Sequence, residues 1–571
     1  MPNFTPEEIH LLSQYVTSPD ADVFAVTNLQ GLVGAIYARY SRAPGGFRET
    51  LLKEFIKEGA INAAKAQDLI ERVLIAYGDD SVGELEGAHV SFEGLSVLAT
   101  KEIEDRRIGG SPIEQSTRYV FYDQKDADGN YRYYRDAAVM ASPHAAAYVE
   151  TMDFIFATYC ELVEPMKAYY SAIKPMESAE YDINGDGVKE KLADCTEEKD
   201  AKAFRITYNA DIRTKACDAL RALLPIATKT NVGIFGNGRF FQNVLSHCLT
   251  TDIPEVHDIA AKAHTALDQV IPRYVKRAKR NDYTVEVRAK MNAFATHWLG
   301  GIQSAVRPSV DLMDRGETTL AHRWPTMRPD PSWIAEALQR EEDGLMLSLM
   351  LYPHCALPLD QVRYTVRNMN DERRGELIAT YIGDRKTRRD RPGRALEAGY
   401  PYTFDLLTDF GTYKDLERHR MCTQSRQKFT PLLGFEIPHD LVAAGFTEKV
   451  NACVQRAAAL YKLLLPEFPE QASYATLHGS LTRWSLGIND RALMHMIELR
   501  TQPAGHPSYR KLCQQLHKAV CARSAWRGAA MKFTDYGDYF WTRADQEARQ
   551  RVKEAALDLV SGSSQVPDTK S

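Results

Sequence analysis

Apolar residues recur at helical spacing over Arg48 to Phe55, Ile61 to Tyr77 and Thr151 to Tyr170, so each stretch predicts a helix with one buried face. Thr5-Pro6-Glu7-Glu8 precedes another such stretch and reads as a capping box with proline at the first helical position. Tyr402 to Leu407 is a short apolar and aromatic run of the kind that forms a buried strand. Between Val120-Phe121-Tyr122 and Tyr131-Arg132-Tyr133-Tyr134, the segment Asp126 to Asn130 supplies a glycine-assisted turn and predicts a hairpin. Periodicity fades from Arg307 to Trp333, where Pro308, Pro325, Pro329 and Pro331 suit an ordered connector. The pattern divides the chain into a first unit over 1–305, a connector over 306–332, a second unit over 333–560 and a small, polar, disordered tail over 561–571. Periodicity alone says only that α and β are mixed.

At 571 residues, 44% of them apolar, the chain has enough material for two or three cores. Its formal charge of −5 gives no general attraction to polyanions, so any phosphate must be held by local clusters, and nucleic acid is not an expected partner. Nine cysteines, an odd number without CxxC spacing, point to reduced thiols, a cytoplasmic location and neither disulfide nor zinc site. Asp182 to Gly187 opens like a calcium loop, but Ala193 stands at the twelfth position where a bidentate Glu belongs, so this stretch reads as a surface insertion and no metal is assigned. No apolar run approaches the roughly 20 residues that cross a bilayer, and no membrane partner is expected.

The chemistry sits in two separated motifs. Glu114-Gln115-Ser116-Thr117-Arg118-Tyr119 lies in the first half and Arg418-His419-Arg420 in the second. Together they resemble the two ends of one signature of the flavin-dependent thymidylate synthases: Arg-His-Arg, seven residues, then Ser, with Glu two places before that Ser and Arg two places after. In the first half Asp105-Arg106-Arg107 lacks the central His and is one residue out of register, whereas in the second Lys428 stands where Ser belongs. A second place repeats the split. Arg221, in Leu220 to Pro225, is followed by Asn237 to Asn243, with Cys248 where a helix Arg falls; Asn489 to Arg500 keeps that Arg, but Ser473 falls where Arg221 does. The chain therefore resembles a tandem, internally duplicated member of that family.

The resemblance implies an α+β fold of two tandem copies, each a twisted, largely antiparallel sheet with long helices. It implies an enzyme that reductively methylates dUMP to dTMP with methylenetetrahydrofolate, FAD and NADPH, without a cysteine nucleophile. FAD is then held by Arg418, His419, Arg420, Glu114, Asn489, His495 and, from a weaker match, Ser81. The nucleotide falls to Gln115, Ser116, Arg118, Arg221 and Arg500. Planar arginine forks suit both phosphate groups. Asn489 and Arg500, nearly three turns apart, share a helix face, from which His495 is displaced. Composite sites from both repeats, and a homodimer acting as a pseudo-tetramer, complete the expectation. Two other functions stay open: a flavin enzyme on another pyrimidine nucleotide, and a non-catalytic nucleotide-binding protein with decayed sites. Taken alone, Arg418 to Arg420 reads as a solvated basic turn, Arg221 as a surface residue, and the basic run Arg385 to Arg394 as a salt-bridged turn or a lining of the same cleft.

Overall fold

Along Lys229–Asn237 and Leu481–Ile488 buried and accessible residues alternate, the period of a strand with one face on a core. The computed structural model describes residues 4–41, 44–57, 60–61, 83–183, 188–282, 284–286, 289, 309–312, 331–351, 359–383, 385, 394–397 and 402–541. Its first half runs β1 (Gly87–Ser96), α1 (Val97–Glu104), β2 (Gly110–Glu114), α2 (Ala145–Ile173), α3 (Glu198–Leu220), β3 (Lys229–Asn237), α4 (Gly238–Cys248) and α5 (Pro254–Asp268). The second runs β4 (Val310–Leu312), β5 (Tyr402–Asp409), α6 (Phe410–Leu416), β6 (Cys422–Arg426), α7 (Thr447–Leu464), β7 (Leu481–Ile488), α8 (Asp490–Arg500) and α9 (Pro507–Arg523). Helices Pro331–Leu351, Leu359–Arg367 and Asp371–Ile382 lie between β4 and β5.

Both halves repeat one topology. The last long strand lies in the middle, so the orders are β1-β3-β2 and β6-β7-β5-β4, and every described pair is antiparallel. The expected α+β architecture is what the structure has. β4 falls inside the stretch expected to be a connector and extends the second sheet. In each copy an asparagine closes the central strand and caps the next helix: Asn237 accepts from the Phe240 amide, Asn489 from the Ala492 amide. Each cap contributes about 1 kcal/mol, because it satisfies a helix-end donor that has no partner within the helix. Asn489 is thus the cap of α8, not a residue of its face.

Equivalent residues meet where the halves join. Pro225 and Leu477, at matching places after the Arg221 and Ser473 positions, form an antiparallel bridge. The Ile226 amide donates to Thr476 O and the His478 amide to Leu224 O, at 2.8 and 2.9 Å. The seam is a pseudo-twofold axis made of main chain. Strand pairing also fixes the register of the split motif. Gly110 faces Gly236 as Cys422 faces Ile488, and Glu114 faces Val232 as Arg426 faces Trp484. Counting back from those pairs, Arg106, Arg107 and Ile108 stand where Arg418, His419 and Arg420 do. No residue is inserted inside the first motif. The extra one lies earlier, in α1, which has 8 residues where α6 has 7.

Local expectations fared unevenly. Thr5 and Glu8 make the capping box, and Thr151 to Tyr170 falls within α2. Arg48 to Phe55 ends a short helix, Phe47–Thr50, that passes into a π-helical turn, Leu51–Phe55. Ile61 to Tyr77 lies, beyond Ile61, outside the described residues, as do 184–187 of the calcium-like stretch. The turn at Asp126 forms, with Gly129 at φ 77°, but its flanks are not a hairpin. Tyr122 and Tyr133 are fully buried, and Tyr133 bridges Thr228 instead. Core packing uses those aromatic rings, which the alternation pattern assigned to a local sheet.

Candidate active site

Arg418, His419 and Arg420 form the turn between α6 and β6, and α8 rises beside that turn from its Asn489 cap. Between them lies a 490 Å³ cavity lined by Arg418, His419, Arg420, Asn489, His495 and Arg500. Six residues expected from sequence to bind cofactor or nucleotide therefore converge. Arg385 and Glu498 close one side, with Arg385 Nη1 donating to Glu498 at 2.7 Å. The first cation of the basic run is thus a buried ion pair; residues 386–393 lie outside the described residues. Ser81 lies outside them too.

The cavity wall is built from both halves. Arg418 Nη2 donates to Glu114 at 2.8 Å across 304 residues of chain, and Lys414 Nζ holds the other oxygen of Glu114 at 2.9 Å. Burial alone would raise the pKa of the Glu114 carboxyl, but Lys101, Lys414 and Arg418 hold it well below the usual carboxylate range. Glu114 is a sealed anchor under Arg418, with its side chain fully buried. Arg500 Nε donates to His419 Nε2 at 3.0 Å, which requires the imidazole to be neutral with its proton on Nδ1. Burial, followed by the charge of Arg500, keeps the His419 pKa well below its ordinary value and so maintains that state.

Sequence reasoning did not single out Arg107 as a part of this wall. Its guanidinium crosses from the first half and donates to the main-chain oxygens of Glu417 and His419, at 3.2 and 2.5 Å, bracing the turn that carries Arg418 to Arg420. Arg420 reaches back to Ser111 Oγ at 2.9 Å. Among the described residues neither Arg420 nor Arg500 has a carboxylate within ion-pair distance, and both line the cavity. Arg418 Nε is buried without a hydrogen-bond partner.

The residues expected on the nucleotide side cluster behind Arg500. Arg118 and Arg500 both pack on Tyr509, with guanidinium carbons 6.0 and 5.5 Å from the ring centre. Arg118 grips Asp218 with two bonds of 2.6 and 2.7 Å, and Arg221 donates to Asp415 at 3.1 Å. Arg221 is buried, not the exposed cation that its position ahead of an apolar run allowed. Ser116 Oγ accepts from the Arg118 amide and shapes that turn, while Gln115 pairs with Asn231. Asp218 and Asp415 carried no sequence signal as site residues, because each earns its place through a partner about 100 or 190 residues away.

Among the described residues no group of His, Cys, Asp and Glu could hold a metal ion, and no helix is long and apolar enough to cross a membrane.

A duplicated, antiparallel α+β chain with its arginines shared between the copies is the form in which this chain belongs to the family of the thymidylate synthase complementing proteins, whose model matches residues 31–273 and 364–523. It is 35% identical to a UPF0159 protein of Chlamydia muridarum over 96% of this chain and 99% of that relative. A UPF0159 protein of Chlamydia pneumoniae is 34% identical over 96% and 98%, and one of Thermoplasma acidophilum 27% identical over 92% and 99%. The whole two-copy length is therefore shared with these relatives.

Proposed function

We propose that the chain is a flavin-dependent thymidylate synthase-like enzyme that reductively methylates dUMP to dTMP, with methylenetetrahydrofolate as carbon donor and NADPH as reductant. One observation carries the reading. Arg418 and Arg500 of the second half meet Glu114 and, through Tyr509, Arg118 of the first, so the cofactor-side and substrate-side motifs of the family join within a single chain.

The residues fit FAD. Arg420 and Arg500 are cations facing the cavity without carboxylate partners among the described residues, which suits a pyrophosphate. Arg418, His419, Asn489 and His495 line the same space. When bound, the flavin supplies the hydride chemistry, and the protein binds, orients and excludes water. Glu114 fixes Arg418, Arg500 fixes the neutral imidazole of His419, and Arg118 and Arg221 bound the nucleotide side with Ser116 shaping their turn. Two such chains make a pseudo-tetramer of four synthase-like units with fewer working sites than units.

The visible spectrum of the protein with FAD, taken before and after dUMP, tests the reading. A bound-flavin spectrum that shifts with dUMP, followed by dTMP formation, supports it. No flavin binding sinks it in favour of a nucleotide-binding protein with decayed sites. The carboxylates beside Arg118 and Arg221 favour one second reading, a flavin enzyme whose pyrimidine substrate carries a different 5′ group; flavin binding without dTMP formation selects it.

A further inference from the structure

The N-terminal segment holds a second pocket, open and of 580 Å³, lined in part by Phe24, Tyr37, Tyr40 and Phe47. Helix Val33–Tyr40 carries Tyr37 and Tyr40 on its last turn, three residues apart and so on one side. Their ring planes meet at 69°, and Phe47, from the start of the next helix, stands 5.0 Å from Tyr37 and 6.4 Å from Tyr40 at 43° and 74°. Phe24 closes the row, 6.1 Å from Phe47 at 50°. None of these pairs is stacked, so the rings form a corner rather than a flat face. Phe47 is rooted in the core at 5% exposure, whereas Tyr40 remains 39% exposed. Asp22, Val23 and Phe24 lie before residue 31, where the family match begins.

The charge around this corner is negative. Glu49 folds back to accept from the Gly46 amide at 2.9 Å, a conformation open to it because Gly45 has no Cβ to collide with that carboxylate. Asp22 is exposed and, among the described residues, has no hydrogen-bond or ion-pair partner. The cation that shares the wall, Arg48, is committed elsewhere. It is 8% exposed, donates to the Pro19 carbonyl and lays its guanidinium over Phe24 and Phe4, 4.6 and 5.5 Å from the ring centres. Arg39, on the same helix as the tyrosines, is neutralised by Glu54 at 2.8 Å. Two carboxylates against one arginine leave the pocket wall with one negative charge in excess.

We propose that this pocket is a binding site for a small alkylated ammonium ion. Ring faces attract a cation through their negative quadrupole, and exposed aromatic surface gains by being covered. A neutral apolar guest would cover the rings but strip water from Asp22 and Glu49 without giving them a counter-charge. A divalent metal ion would need a shell of oxygens that two carboxylates and four rings do not supply. A primary ammonium brings three N–H donors that need acceptors, whereas a fully methylated one brings none and offers an apolar, positive surface to rings and carboxylates together. The pocket shares no residue with the cavity between the halves, so the site is independent of the flavin and nucleotide reading.

The whole chain, with neither flavin nor dUMP added, is titrated with choline, with ethanolamine and with 3,3-dimethylbutan-1-ol, the neutral isostere of choline in which carbon replaces the charged nitrogen. Calorimetry and tyrosine fluorescence read the binding. Choline is expected to bind at least about tenfold tighter than either comparison ligand. Asp22→Asn should weaken choline several-fold and leave the alcohol unchanged. Gly46→Trp, at an ordinary φ of −74° and with open space where its side chain begins, should fill the pocket and abolish choline binding. The proposal is overturned if the alcohol or ethanolamine binds as tightly as choline, if choline shows no saturable binding, or if Gly46→Trp leaves choline binding intact. The ranking of the three ligands on the unaltered chain decides the matter even if Gly46→Trp does not fold. The synthase reading stands or falls separately, on flavin and dUMP.

Discussion

Arg500 and Cys248 end equivalent helices and have nothing else in common. Arg500 orders His419 and faces a cavity, whereas Cys248 is 3% exposed, packed in the core of the first half. The difference extends through both copies. Arg420 is matched by Ile108, His495 by Asn243, Arg118 by Thr430 and Arg221 by Ser473. Ile108 lies on the surface, 81% exposed, and Ser473 donates to the Phe429 carbonyl as a plain packing residue. Around the pseudo-twofold axis one site keeps Arg420 and Arg500, and the mirror position, though it holds Arg106 and Arg107, has lost both. The backbone is retained on both sides and the full set of charges on one.

The largest effects should appear when that asymmetry is attacked at its charges. If Arg420 and Arg500 hold the cofactor as proposed, Arg420→Ala and Arg500→Ala should each lower flavin affinity about 10- to 100-fold, measured by flavin fluorescence titration. Ile108→Ala at the mirror position should leave it within about twofold, since no bond is lost there. An equal loss from Arg420→Ala and Ile108→Ala breaks the comparison.

A pH series sharpens it next. His478 and His506, both buried in the second half, are each pushed down to about 3, by burial foremost, then by Lys414 for His478 and by Arg221 for His506. The first half has Ile226 and Ile253 at the corresponding places, and these do not titrate. A histidine depressed in the folded state binds its proton more readily when unfolded, so stability falls as pH drops below about 6.5 and continues to fall toward the folded value. Each histidine contributes a slope of about 1.4 kcal/mol per pH unit in that window. Urea unfolding at pH 7, 6 and 5 measures it, and because the depressed His419 adds a third such term, His506→Ile should remove roughly a third of the slope. A flat profile would show that none of these imidazoles is held neutral.

Arg107→Ala should cost less than Arg420→Ala and more than any mirror change. It withdraws the brace on the Glu417 and His419 carbonyls without removing a group from the cavity, so cofactor affinity should fall about tenfold with a loss of about 1–3 kcal/mol in stability. This exceeds what a residue merely standing in the place of a lost histidine would suggest. Cys248→Ala comes last: about 1 kcal/mol of stability from lost packing, read as a small fall in melting temperature, with flavin binding unchanged.

What could be seen in advance follows from how local each feature is. The Arg418-His419-Arg420 turn and the buried strand after Tyr402 were legible from short local runs, whereas helical period placed Asn489 on a face with Arg500 when it is the cap of α8. The two-copy topology was legible through the complementary losses at Arg221, Ser473, Cys248 and Arg500. Motif register was not, since only strand pairing shows that Arg107 occupies the place of His419. Nor were Asp218 and Asp415, nor the burial of Glu114 beneath Arg418, which depend on how one half docks on the other. The false hairpin at Tyr122 and Tyr133 has the same cause: tertiary packing claimed aromatic residues that local alternation assigned to a sheet.

The seam at Pro225 and Leu477 also constrains what a divided gene could encode. Its bonds run between main-chain atoms of Leu224, Ile226, Thr476 and His478, so they survive almost any drift in side chains. Two separately expressed fragments would recognise each other through that backbone and still be unlike in charge, each lacking arginines that the other holds. Because that seam is blind to side chains, it would equally let each fragment pair with a copy of itself, and only the mixed pair would hold the full set of arginines. The covalent link in this chain guarantees one of each at every assembly.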